Sequence, residues 1–121
     1  MDREIHEKSW GYEEWIVNNE WYCGKKLVFR YEFSKTSVHF HAEKIETMFC
    51  LKGSFLIEMV KDGIFARKNL TEGESLDIPR FCVHRIVATS ENSELIEFST
   101  NHKDSDSYRI PVDKFESHPY P

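Results

Sequence analysis

His39 to Gly53 reads HFHAEKIETMFCLKG, and its spacing sets what to expect of the whole chain. Side chains at i and i+2 of a strand share a face, so His39 and His41 project together, with Phe40 opposite. Glu46 is too far along for the same short strand. It is expected on the returning strand, across a tight turn at Ala42, Glu43 and Lys44. Two imidazoles and one carboxylate converging from such a hairpin form an incomplete site for a divalent metal of the zinc, manganese, iron or nickel type. A fourth ligand has to come from elsewhere, and His84 stands in a suggestive setting after Gly73 and Pro79.

Outward from this stretch, the chain alternates short apolar runs with turn signals. Trp10 to Val17 reads as a strand or short helix with aromatics on the outside of a sheet. Strands are expected over 21–33, at the HxH pair, and over 44–51, 54–60, 64–70, 75–78, 83–89 and 94–100. Between them stand Asn18-Asn19-Glu20, Lys52-Gly53, Thr71-Glu72-Gly73 and the hairpin signal Lys61-Asp62-Gly63. No segment holds a helical period of useful length. The pattern is all-β, an antiparallel sandwich or barrel whose alternating side chains can line an internal cavity. Residues 1–9 read as a polar arm, 10–115 as one domain and 116–121 as a tail.

Composition narrows the partners. A chain of 121 residues with 40% hydrophobic and 14% aromatic residues fills one domain core. A formal charge of −5 without a basic run argues against a nucleic-acid partner. No apolar run approaches the ~20 residues that span a bilayer. Cys23, Cys50 and Cys82 form no CxxC pair, which suggests reduced thiols and a cytoplasmic location. The two later cysteines share parity with Glu46 and His84, but small core hydrophobes are the expected role. His6, His102 and His118 fall in polar arms or tails and are not expected to be ligands.

The stretch 39–53 resembles the first motif of the cupins, G-x5-HxH-x4-E-x6-G. Residues 73–84, GESLDIPRFCVH, resemble the second, G-x5-PxG-x2-H-x3-N. The resemblance implies a double-stranded β-helix, the jelly-roll cupin barrel, with a metal held by His39, His41, Glu46 and His84. Phe33 and Phe81 stand where the motifs have glycine, and Ala88 where the second has asparagine. WGYEEWIV, Lys25-Lys26-Leu27, LTEGESLDIP, His84-Arg85 and DSYRIP are together similar to the cupin domain of type II mannose-6-phosphate isomerases. That domain usually has glutamine where this chain has His39.

Four protein ligands would leave positions open for a small-molecule substrate. Such a metal can polarise a sugar carbonyl, as aldose–ketose isomerisation needs, and the resemblance to the isomerase domain implies a sugar-phosphate or nucleotide-sugar isomerase or epimerase of surface polysaccharide metabolism. A base is then needed near neutral pKa. Glu58 and Glu97 are candidates because each interrupts an apolar strand, although a solvent-facing position is the plainer expectation for both. Lys25, Arg30 and Arg109 are candidate phosphate ligands; Arg85, next to His84, should point away from the cavity. Two other classes stay open, an Fe(II)-dependent dioxygenase and a non-catalytic metabolite-binding cupin. A homodimer is expected, with Trp10, Tyr12 and Trp15 as its interface.

Overall fold

The structure, a computed structural model, describes residues 3–117. Eleven strands lie among the described residues: β1 (Glu4–Lys8), β2 (Gly11–Asn18), β3 (Cys23–Phe29), β4 (His39–Phe40), β5 (Glu46–Lys52), β6 (Ser54–Lys61), β7 (Ile64–Thr71), β8 (Ser75–Ile78), β9 (Val83–Ala88), β10 (Ser93–Ser99) and β11 (Tyr108–Arg109). A five-residue helix, α1 (Val112–Glu116), follows. The strands form two antiparallel sheets, ordered β1-β2-β3-β10-β5-β8 and β11-β4-β9-β6-β7. This is the expected jelly roll.

Strict alternation builds the core. In β3 every second residue from Cys23 is buried, and in β5 Glu46, Met48 and Cys50 point inward. Leu27, Phe29, Phe55, Ile57, Ile86 and Leu95 meet between the sheets. Asp62 and Gly63 both have positive φ (53° and 75°) and close the β6–β7 hairpin, as a two-residue Asp-Gly turn should. Cys50 and Cys82 belong to the same apolar cluster, and all three cysteines are free and buried.

Several expectations are corrected. Within the polar arm, Glu4–Lys8 forms an edge strand on β2 that the sequence pattern does not reveal, because it has little apolar surface to bury. Trp10 does not lie on the outside but stacks on Phe29 at 4.3 Å, in the core. Trp15 lines the central cavity. Trp10 is thus taken up by the core, while Tyr12 and Trp15 stay half-buried. The Ala42–Lys44 connection is not a hairpin turn: β4 belongs to one sheet and β5 to the other, so His41 and Glu46 face each other across the sandwich. His118 lies outside the described residues. No helix among the described residues is long and apolar enough to cross a membrane.

Candidate metal centre

The inner faces of the two sheets open into a cavity of about 850 Å³. His39, His84 and Met59 form one transverse row on β4, β9 and β6, since His39 pairs with His84 and Met59 with His84. His41 follows β4 in the crossing loop. The three imidazoles present ligand atoms that all lie within 4.8 Å of one another. Glu46, at the start of β5, brings its Oε2 to 3.7 Å from His41 Nε2. The structure therefore brings His39, His41 and His84 together and sets Glu46 beside His41.

Backbone carbonyls set the tautomers. Nδ1 of His39, His41 and His84 lies 2.9 Å from the carbonyl oxygens of Ser37, Asp106 and Cys82, respectively. A carbonyl only accepts, so each Nδ1 carries the proton and donates, leaving every Nε2 with a free lone pair. Such a carbonyl bond is the usual support behind a metal-ligating histidine. Burial first, then neighbouring charge, lowers the His39 pKa to about 3; burial likewise takes His41 and His84 to about 4. All three are neutral at pH 7, the form that a metal requires.

Two buried polar atoms have no hydrogen-bond partner among the described residues, Glu46 Oε2 and His84 Nε2. An orphaned buried group costs about 1–3 kcal/mol, and these two belong to the converging set. A divalent cation would satisfy both. The donor set, three imidazole nitrogens and a carboxylate, fits zinc, manganese, iron or nickel. Without it, burial and the charge of Glu97 push the Glu46 carboxyl up to about 8.

The cavity continues into an ion network that the sequence did not announce. Lys44 is buried and donates to Glu97 at 2.8 Å and to His102 Nδ1 at 3.0 Å, with Glu46 Oε2 at 4.0 Å. Burial works against its charge, but Glu97 and Glu46 outweigh that and raise its pKa. Burial would raise Glu97 too; Lys44 and Lys25 prevail and bring it down to about 2. His102 reaches the cavity from the polar tail, its Nε2 2.9 Å from Asp104. Its parity with Glu46 and Met48 could have flagged Lys44. Nothing local could have flagged His102, whose partner is 58 residues away.

The remaining candidates separate. Glu97 and Lys25 are buried in the cavity wall and pair across β10 and β3; Lys25 sits over the Trp15 ring at 4.3 Å and 3.5 Å from Glu13. Neither candidate base faces solvent as expected. Glu58 is buried on the other face of its sheet, where Arg85 donates to it at 2.7 and 3.0 Å and Arg67 at 3.1 Å. It does not reach the cavity; strand alternation sends it outward between Ile57 and Met59, under α1. Arg85 points the same way, as its place after His84 requires. Arg30 lies outside the cavity, paired with Glu7 at 3.1 Å. Arg109 lines the cavity.

Residues 26–114 match the cupin family. This chain belongs to it. Among solved structures, this cupin is similar to oxalate decarboxylase of Bacillus subtilis, with a TM-score of 0.81 and 16% identity over 98% of this chain and 32% of that one. It is similar to the capsular polysaccharide assembling protein CapF of Staphylococcus aureus, with a TM-score of 0.81 and 15% identity over 93% and 33% of the two chains. KdgF from Halomonas sp. aligns with a TM-score of 0.68 and 16% identity over 78% and 81%. The cupin here spans about a third of the oxalate decarboxylase and CapF chains. At these identities the likeness speaks to the fold. No curated protein matches the sequence.

Proposed function

We propose that this cupin is a metal-dependent isomerase or epimerase acting on a sugar derivative, akin to the cupin domain of type II mannose-6-phosphate isomerases. The observation that carries the proposal is the convergence of three imidazoles with free Nε2 lone pairs, with the orphaned carboxylate of Glu46 beside His41, at the wall of a cavity large enough for a sugar. His39, His41, His84 and Glu46 would hold a divalent ion, which supplies Lewis acidity toward a carbonyl and its neighbouring hydroxyl. CapF, a capsular polysaccharide assembling protein, supports a place in surface polysaccharide metabolism. The Mn(II) centres of oxalate decarboxylase support manganese among the candidate ions.

Glu97 is the base in this reading. Its 2.8 Å bond to Lys44 keeps it ionised but holds its pKa at about 2, well under the near-neutral value a base needs, so in this reading bound substrate draws Lys44 away before Glu97 takes a proton from the carbon beside the carbonyl. Trp15, Leu27, Met48 and Ile86 supply apolar wall that limits water at that carbon.

The test is elemental analysis of purified protein, followed by an aldose–ketose interconversion assay under anaerobic conditions. Turnover with zinc or manganese, and incorporation of solvent deuterium at the carbon that loses its proton, supports the isomerase. Bound iron with oxygen uptake and no interconversion would replace it with the dioxygenase reading.

A further inference from the structure

Of the three cations read as candidate phosphate ligands, two are engaged elsewhere. Arg30 is held by Glu7 outside the cavity, and Lys25 lies between Glu13 and the Trp15 ring. Arg109 differs. On β11 it is the cross-strand partner of His39, which in turn pairs with His84. Directly opposed residues of an antiparallel pair project from the same face. Tyr108, its neighbour, stacks on Phe40 at 5.0 Å, on the other face of the strand pair. Arg109 therefore continues the row of imidazoles by one strand, toward the open edge of the sheet.

Its surroundings leave it available. Arg109 is exposed and lines the cavity, and no described carboxylate lies within 4.0 Å of its guanidinium. Of the acids at the cavity wall, Glu46 lies deep beside His41 with one oxygen unpartnered, Glu7 faces Arg30, and the others are matched or bonded. Glu13 faces Lys25, Glu97 faces Lys44, and Asp104 accepts from His102 within Coulombic reach of Lys25 and Lys8. Lys35, also exposed at the wall, adds a second cation with no described carboxylate within 4.0 Å. Arg109 and Lys35 thus place two cations without a described carboxylate partner at the mouth beside the histidines, in a chain of net charge −5.

We infer that Arg109 is the oxyanion-binding residue of this site and that the ligand is an anionic metabolite carrying a phosphate or carboxylate. The anion sits at the open edge of the β11–β4 pair, and the uncharged polar end of the molecule enters the cavity. A guanidinium fork suits either oxyanion bidentately. That the metabolite is a sugar rests on the function proposed above; that it is anionic does not.

The experiment compares calorimetric binding of a hexose 6-phosphate, a hexuronate, the neutral parent hexose and inorganic phosphate to the zinc-loaded protein and to its Arg109→Gln variant. The expected result is that at least one anionic probe binds about tenfold or more tightly than the neutral hexose, the factor that one charge-assisted hydrogen bond supplies. Arg109→Gln should remove that advantage, with zinc affinity by chelator competition unchanged, and Arg109→Lys should restore part of it. The phosphate and carboxylate arms separate the two sources of oxyanion. If inorganic phosphate binds through Arg109 while no sugar does, the anion site stands and the sugar reading fails. An anion preference that survives Arg109→Gln, or no binding of any anionic probe, overturns the inference.

Discussion

Phe33 and Phe81 occupy the two motif positions where a cupin has glycine, and both keep the left-handed backbone, with φ of 67° and 64°. The fold needs that conformation: the Phe81 N–H donates to the His41 carbonyl and the Phe33 N–H to the Ala88 carbonyl, each at 2.7 Å. An L-residue there costs about 1–2 kcal/mol, while glycine gives back roughly 0.5–1 kcal/mol through the unfolded chain. Both rings are largely exposed, so little packing is lost with them. Phe81→Gly should leave the urea midpoint unchanged or slightly raised. Phe81→Val, β-branched at positive φ, should lower stability by about 1–2 kcal/mol; equal midpoints for the two variants would contradict the strain. The histidine cluster was legible from strand parity at His39 and His41 and from the resemblance of residues 73–84 to the second cupin motif, which brings in His84. The two glutamates were not separable that way, since both interrupt apolar strands and only sheet placement tells them apart. Glu58→Gln should cost about 3–5 kcal/mol by stranding buried Arg85, with zinc affinity intact in the folded fraction. Glu97→Gln should retain zinc and lose turnover. Turnover lost in Glu58→Gln protein that is fully folded would put the base on the wrong strand.

At the level of elements, the segment 104–116 acts as a clasp on the strand and loop that carry His39 and His41. The Asp106 carboxylate accepts from the N–H groups of Ala42, Glu43 and Lys44 at 2.9–3.2 Å, and its carbonyl accepts from His41. Those three bonds hold the carboxyl below its ordinary value against the cost of burial. β11 pairs with β4, the Ile110 N–H donates to the Val38 carbonyl at 3.0 Å, and α1 buries Phe115 against Val38, Val60 and Phe65. None of this was readable from the polar tail. Asp106 lies 62–65 residues from the groups it serves, and a two-residue strand has no period to detect. The β4–β5 crossing was missed for the opposite reason: a short polar segment between two apolar runs looks like a hairpin, and only long-range pairing reveals a change of sheet. Asp106→Ala should lower stability by about 3 kcal/mol, since bonds to a charged acceptor contribute about 1.5–3 kcal/mol each in favourable cases, and should weaken zinc binding by loosening the His41 loop. Asp106→Asn, which keeps a carbonyl acceptor, should recover part of both. Phe115→Ala removes a fully buried ring and should cost about 3–5 kcal/mol. Calorimetric unfolding and chelator competition on the same samples check both elements, and an Asp106→Ala protein with wild-type zinc affinity would sever the clasp from the site.

For the whole molecule, the site makes the metal-free fold a pH-dependent object with an optimum. His39, His41 and His84 titrate at 6.5 when unfolded but at about 3, 4 and 4 in the fold. Between pH 6.5 and about 4 the unfolded chain therefore holds more protons than the native one. By linkage, stability is present above 6.5 and is lost as the pH falls through that window. His102, lowered mainly by burial, adds in the same sense. Glu46 acts the other way, because the native fold keeps its proton up to about 8, while the unfolded chain releases it near 4.5, so its contribution falls as the pH rises from 4.5 to 8. Below 6.5 the imidazoles outnumber this one carboxyl and stability climbs with pH. Above 6.5 only Glu46 is still changing, and stability declines. Glu97 and Asp106, both lowered, matter only in more acid solution, and the raised thiols only above about 9. Urea midpoints measured in EDTA should thus peak near pH 6.5, fall steeply toward pH 5 and fall gently toward pH 8. Glu46→Gln, which cannot ionise, should flatten the alkaline limb and leave the acid limb in place. A midpoint that rises without interruption from pH 5 to 8 would mean that Glu46 is not buried beside the imidazoles, and the proposed ion would lose its fourth ligand.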